Sequence, residues 1–165
     1  MIQSKNFIED ILKRLRYYKM LGDKTFEQLE EKYFFYQPNG ESNSIAIIIQ
    51  HMHGNMKSRF TNFLTEDGEK PWRNRDAEFE LTQLTKHELT DLLDKGWAIV
   101  LHTVESLQED ELMNEITIRA EKLFVYDALF RQLAHNAYHI GQIIYIAKSI
   151  KDDQWQNLSM PKPKK

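Results

Sequence analysis

The chain has 165 residues, of which 41% are hydrophobic and 28% charged, and its formal net charge is −3. This composition is typical of one folded globular domain and argues against a disordered chain or a coiled-coil rod. A negative net charge does not favour nucleic acid or an anionic membrane as a partner. The sequence contains no cysteine, so any metal site must be built from His, Asp or Glu.

The first predicted helix starts from an N-cap at Ser4, because the apolar residues that follow recur at helical spacing. Gly22 is the residue at which we expect this helix to stop. The spacing of Thr25 and Gln28 matches a capping box and predicts a short helical segment after it. That segment should end before the turn signal at residues 37–40.

The second predicted helix runs from Ile45 to Leu64, with Ser44 among the residues that can cap its start. The longest purely apolar run, Ile45 to Ile49, is far shorter than the ~20 residues that cross a bilayer. Residues 65–76 contain turn formers and charges without a periodic pattern. We therefore expect a long surface loop there.

A capping box at Thr85 and Glu88 predicts the third helix, from His87 to Ser106. Residues 114–122 have a short extended pattern.

The fourth helix is predicted from Leu123 to Lys148, and it is apolar on two separate stripes. Such a helix contacts neighbours on both sides.

Four long helical segments, without repeats or convincingly paired strands, predict an all-α four-helix bundle. We expect residues 1–150 to form one bundle domain and residues 151–165 to form a short C-terminal tail. The first residues lack the pattern of a secretory signal, so we expect the protein to be cytoplasmic.

Among the six histidines, His135 and His139 form an i, i+4 pair that can converge on one cation. The residue after His135 is not glutamate, which disfavours a zincin protease. A third ligand should come from the second helix, where His51 and His53 are both candidates, and helical-wheel angles do not choose between them. The alternative is a pair of core histidines satisfied by ordinary hydrogen bonds.

Further residues are candidates for supporting roles around this pair. Asp127 and Gln132 are candidates to accept hydrogen bonds from the ligand rings. His87 and His102 are expected to be solvated or structural. The arginines of the charged loop and its surroundings, Arg59, Arg73 and Arg75, either recognise a carboxylate or phosphate or belong to a salt-bridged surface lid.

Two stretches resemble the DinB-like superfamily of metalloenzymes, namely Asn43 to Met52 in an early helix and His135 to Gln142 in a late one. Two further stretches, Gly54 to Phe60 and Asp67 to Asp76, are similar to a bacterial branch of that superfamily with no assigned function. The resemblance covers about residues 7–150.

This resemblance implies a bundle of up-down-down-up connectivity, often dimeric, with a divalent metal ion, zinc or nickel, on three histidines. Matched position by position, the ligands are His51, His135 and His139. Characterised relatives transfer low-molecular-weight thiols such as bacillithiol, mycothiol or glutathione, which makes such a thiol a candidate substrate. No catalytic residue is identified beyond the ligands.

We therefore expect a metal-dependent enzyme that activates water or a small thiol, with transferase or hydrolase chemistry. One alternative is a stress-associated protein that binds a metal or ligand without catalysis. Another is a bundle whose histidines only pack. A homodimer is the one protein partner that the resemblance implies.

Overall fold

The computed structural model of the chain describes residues 4–159, with side chains from residue 7 onward. Its long elements are four α-helices: α1 (Ser4–Glu27), α2 (Ile45–Phe60), α3 (Lys86–Ser106) and α4 (Val125–Lys151). An antiparallel hairpin precedes α4 and consists of β1 (Glu115–Ile118) and β2 (Glu121–Phe124). Short 3₁₀ turns lie at Glu31–Phe35, Asp76–Phe79, Glu109–Met113 and Asp152–Gln154. The predicted all-α bundle is confirmed, whereas the Ser4 side chain and the ends of the chain lie outside the described residues.

Helices α1 and α4 run parallel to each other. Near their starts, the rings of Phe7 and Phe130 pack edge to face with centroids 5.3 Å apart. Further along both helices, Gly22 lies against Ile140. Contacts that advance in the same direction on both helices show that the two share one direction.

Helices α2 and α3 are also parallel. Near the middle of α2, His53 contacts the Leu92 carbonyl of α3, and at its end the Phe60 carbonyl accepts from the Thr103 hydroxyl. Gly96 allows this close approach, because an added Cβ there would lie 2.7 Å from the Met56 methyl group.

Two ion pairs show that α1 and α3 run in opposite directions. Arg16 of α1 pairs with Glu105, whereas Lys19, later in α1, pairs with Asp94, earlier in α3. The four helices therefore follow the up-down-down-up order.

Within the described residues, none of the helices has the length and apolar character that crossing a bilayer requires.

The end of α1 differs from the prediction, because the helix passes through Gly22 and ends at Glu27. Gly22 serves helix packing instead, since an added Cβ would lie 3.0 Å from Ile140 Cδ1. Thr25 is fully buried, and its hydroxyl donates to the Leu21 carbonyl one turn earlier. The predicted capping box at Thr25 is therefore wrong.

The starts of the next two long helices follow the predicted caps. The Ser44 hydroxyl accepts from the Ile47 amide at 3.3 Å at the start of α2. Thr85 and Glu88 form the complete capping box at the start of α3. Helix α2 ends at Phe60, earlier than predicted.

The segment predicted as a surface loop is partly buried. Gly68 and Lys70 are both buried, and the Ser58 hydroxyl of α2 contacts both of their backbones. It donates to the Gly68 carbonyl at 2.7 Å and accepts from the Lys70 amide at 3.1 Å. The Gly68 amide donates to the Thr117 carbonyl of the hairpin at 2.8 Å. The loop is thus fixed between α2 and the hairpin.

The short extended pattern predicted at residues 114–122 is confirmed, and the structure adds that it forms a paired hairpin, β1 with β2, which the sequence pattern did not indicate. Its turn residues, Arg119 and Ala120, have φ values of 56° and 61°, a conformation that usually favours Gly or Asn. The Asp67 carboxylate stabilises this turn by accepting both amides, at 2.9 Å and 2.7 Å. Its backbone hydrogen bonds, from Glu69, Ala120 and Arg119, lower the pKa of Asp67 to about 2.

Candidate metal centre

Three histidines from two helices meet between α2 and α4. His51 of α2 and His135 and His139 of α4 each offer one ring nitrogen, and these three atoms lie within 4.8 Å of one another. The Nε2 atoms of His51 and His135 are 3.1 Å apart. The i, i+4 spacing places both α4 rings on the side that faces His51.

The structure separates the two candidates of the second helix. The ring of His53 is turned to α3, where its Nδ1 lies 2.7 Å from the Leu92 carbonyl oxygen. His87 and His102 are exposed and lie outside the cluster. His51 is therefore the histidine of α2 that reaches the α4 pair.

Two side-chain acceptors orient the cluster rings. Glu78 Oε2 lies 3.0 Å from Nδ1 of His51, and Gln142 Oε1 lies 2.9 Å from Nδ1 of His139. Because an ionised carboxylate and an amide oxygen only accept, each Nδ1 carries the proton and donates it. With Nδ1 as the donor, the uncharged form of each ring directs its Nε2 lone pair to the centre of the cluster.

Glu78 is the functional residue that the sequence prediction missed. It lies in the 3₁₀ turn Asp76–Phe79, and Arg73 donates to both of its oxygens, at 2.7 Å and 2.9 Å. Its side chain crosses Gly54, where an added Cβ would lie 2.1 Å from Oε1. Burial opposes ionisation, but the hydrogen bonds from His51 and Arg73 outweigh it and lower the pKa of Glu78.

The two histidines of α4 are uncharged at neutral pH. Burial, followed by the nearby rings of His139 and His51, lowers the pKa of His135 to about 3. Burial lowers the pKa of His139 to about 4. Both rings therefore keep a lone pair free for a cation at neutral pH.

The donor set fits a divalent metal ion. Two ligands at ~2.0–2.1 Å from one ion, at angles between octahedral and tetrahedral values, are ~2.9–3.4 Å apart. The 3.1 Å between Nε2 of His51 and Nε2 of His135 falls in this range. Nε2 of His139 is buried and has no hydrogen-bond partner among residues 7–159. A shared cation would satisfy this lone pair, whose burial without a partner is costly.

The two residues predicted to support the ligand rings do not do so. Asp127 is exposed, and within the described part of the chain it is not among the residues that could join the histidines around a metal ion. Gln132 is buried, but its amide donates to Asn136 at 2.8 Å. Carboxylate and amide support comes instead from Glu78 and Gln142.

A cavity of about 190 Å³ lies beside the cluster, and both His51 and His135 line it. Aromatic and aliphatic groups of α2, α4 and the hairpin form part of its wall, including Phe60, Ala128 and Ile118. The cavity gives a small molecule access to the side of the histidine cluster.

The family comparison places the chain among proteins whose activity is not assigned. The family described as "Protein of unknown function (DUF1572)" matches residues 3–164, and the chain therefore belongs to this family. No curated protein matches the chain. The match does not test the wider resemblance to the DinB-like superfamily, which stays an interpretation.

Proposed function

We propose that His51, His135 and His139 bind one divalent metal ion and that this family member is a metal-dependent enzyme of the DinB-like kind. The observation that carries the proposal is the Nε2 atom of His139, which is buried without a hydrogen-bond partner among residues 7–159 and belongs to a cluster that holds two further ring nitrogens. Imidazole ligands suit zinc and nickel, the two ions that we propose.

The residues around the cluster are arranged to keep such a site ready. Glu78 holds the Nδ1 proton of His51, and Gln142 holds that of His139, so the rings cannot rotate freely. Arg73 in turn holds Glu78 in its ionised form. When bound, the ion would supply Lewis acidity that favours the ionised form of a water or a small thiol.

The cavity favours an enzyme over a protein that only stores a metal. Structural metal sites are closed by four protein ligands, whereas catalytic sites keep an open position. Here three histidines form the cluster, and His51 and His135 also line a cavity. We therefore propose a small-molecule substrate, with a low-molecular-weight thiol as the first candidate.

Metal content tests the binding part of the proposal. We expect one equivalent of zinc or nickel per chain in the native protein by elemental analysis, and a loss of that metal in His135→Ala. His102→Ala is the matched control, because His102 is exposed and distant from the cluster, and it should keep its metal. Equal metal content in His135→Ala and the control would contradict the proposal.

Activity tests the catalytic part separately. Metal-loaded protein is mixed with glutathione or bacillithiol and the electrophile 1-chloro-2,4-dinitrobenzene, and in parallel with an activated ester for hydrolysis. We expect turnover in one assay that disappears with chelator. A protein that holds the metal but accelerates neither reaction would support the non-catalytic, metal-binding alternative.

A further inference from the structure

Five arginines line the cavity beside the histidine cluster, although the whole chain is negatively charged. They come from α2, the loop before α3, the hairpin turn and α4, namely Arg59, Arg73, Arg75, Arg119 and Arg131. Among the described residues, no aspartate or glutamate lines the cavity. A concave surface with charges of one sign attracts ions of the opposite sign.

Two of these guanidinium groups are buried and incompletely satisfied. The side chains of Arg59 and Arg73 are 7% and 2% exposed. Arg59 forms an ion pair with Glu69 through Nη2 at 3.0 Å. Arg73 pairs with Glu78 through Nε, and its Nη1 lies 3.7 Å from Glu69 Oε1, beyond hydrogen-bond distance. The Nη1 atom of each is buried and has no hydrogen-bond partner within the described part of the chain. Leaving a buried charged donor without an acceptor is costly, so these groups favour an added acceptor.

Two internal carboxylates neutralise only part of the charge of these five arginines. Glu69 is shared by Arg59, Arg73 and Arg119. Glu78 is engaged by Arg73 and the His51 ring. Arg75 and Arg131 form no ion pair with a carboxylate of residues 7–159. Arg75 lies over the Phe79 ring, with Cζ 5.2 Å from its centroid, which positions its charge without cancelling it.

We infer that this cavity is an oxyanion site that binds a carboxylate or phosphate group of a small molecule. Planar guanidinium groups match both oxyanions with paired hydrogen bonds. A volume of about 190 Å³ is below that of a typical ligand pocket, so it suits one anionic group rather than a large ligand. That this molecule is the substrate rests on the proposed function, whereas anion binding itself does not.

Calorimetric titration of chelator-treated protein with inorganic phosphate and with succinate tests the inference. We expect one anion per chain, and the tighter of the two probes identifies the oxyanion chemistry. The variant Arg75→Gln/Arg131→Gln should bind at least ~10-fold more weakly, because each lost charged partner contributes about that factor. Both side chains are exposed and form no ion pair within residues 7–159, so the fold should persist, which circular dichroism checks. Arg14→Gln is the matched control, since Arg14 is exposed on α1 and does not line the cavity.

The outcomes separate this inference from the metal proposal. Anion binding by the chain, together with equal metal content in His135→Ala and native protein, would leave the oxyanion site standing while the metal proposal fails. Conversely, binding of succinate only by zinc-loaded protein, equally in Arg75→Gln/Arg131→Gln and Arg14→Gln, would overturn the oxyanion site. Absence of binding for both probes would overturn it as well.

Discussion

The side of α4 that faces α1 is apolar, whereas the side that faces α2 is polar. Toward α1 it presents Ile140, which is fully buried against Gly22 with almost no space between the helices. Toward α2, one residue earlier, it presents His139, and one turn earlier Asn136, which is fully buried as well. Neighbouring positions on one helix therefore serve an apolar contact and a polar cleft.

This difference separates the contacts of α4 that stabilise the bundle from those that can bind a ligand. The apolar side needs only matched volume, because dispersion and the hydrophobic effect are non-directional. The polar side needs a partner for each donor and acceptor: Gln132 donates to Asn136, and Nδ2 of Asn136 lies 3.7 Å from the Met56 sulfur. Within the described residues, two ring atoms of the histidine cluster, Nε2 of His139 and Nδ1 of His135, are buried without a hydrogen-bond partner. Stability should thus be most sensitive on the α1 side and ligand binding on the α2 side.

The largest effect on stability is expected from a substitution in the apolar contact between α4 and α1. Ile140→Ala should lower the free energy of unfolding by ~2–5 kcal/mol, since it removes buried methyl groups where the helices are closest. Urea denaturation with chelator present measures this without any metal contribution. Ile144→Ala, at a half-buried position of the same helix, should cost less. Equal losses would mean that the close contact between Ile140 and Gly22 contributes no more to stability than a half-buried position does.

Metal removal should affect the polar side next most strongly. An ion at 100 times its dissociation constant stabilises the folded state by ~2.7 kcal/mol, so chelator should lower the melting temperature of the native protein. In His139→Ala the same chelator should cause no shift, because the cluster has lost a ligand. Thermal melts followed by circular dichroism give both values. A chelator-dependent shift that persists in His139→Ala would place the metal elsewhere.

A substitution that touches no histidine should still weaken the cluster. Gly54→Ala places a methyl group where the Glu78 carboxylate lies, so Glu78 must leave His51. Loss of such an outer partner typically weakens metal affinity ~10–100-fold. Competition with a fluorescent zinc chelator measures the affinity.

The matched control for this substitution is Gly141→Ala in α4, where an added Cβ meets nothing within 4 Å. It should leave metal affinity unchanged and stabilise the helix by up to ~1 kcal/mol. If both glycine variants bound metal alike, the support from Glu78 would be structural only.

The smallest effect on stability is expected at the turn of the hairpin between β1 and β2. Asp67→Asn should cost about 1 kcal/mol at pH 7, because a charged acceptor of the Arg119 and Ala120 amides is lost. The pKa of Asp67 is lower in the folded state, so its contribution is complete above its unfolded pKa of 3.8 and declines as pH falls through about 2. Urea denaturation of both proteins between pH 7 and pH 2 should show the difference shrinking toward acid. A difference that is constant over this range would exclude ionised Asp67 as its source.

Local signals predicted the parts of the fold that depend on neighbouring residues. The Thr85–Glu88 capping box and the Ser44 cap are set within one helical turn, and the structure has both. The pairing of His135 with His139 follows from helical spacing alone. Helical-wheel angles leave His51 and His53 open, and the family resemblance favours His51. The packing of α3 adds the physical reason, because the His53 ring is already engaged by the Leu92 carbonyl.

Features that depend on distant contacts were missed or misread. Gly22 was interpreted as a helix stop because glycine favours helix ends, whereas its role is to admit Ile140 from a helix more than 100 residues later. Glu78 lies in a segment without a periodic pattern, and nothing near it in sequence indicates that it reaches His51. The hairpin turn has neither Gly nor Asn, since Asp67 stabilises it from another segment. The cytoplasmic location, the homodimer and the boundary at residue 150 stay predictions.

The crossing of Glu78 over Gly54 links two positions that are 24 residues apart in the chain. A homologue with any side chain at position 54 has no room for the Glu78 carboxylate at this place. The glutamate could then no longer accept a hydrogen bond from His51. The two sites should therefore covary across the family as a single inherited unit. In members that lack both Gly54 and Glu78, we expect either another acceptor for the ring of His51 or a different residue in place of His51.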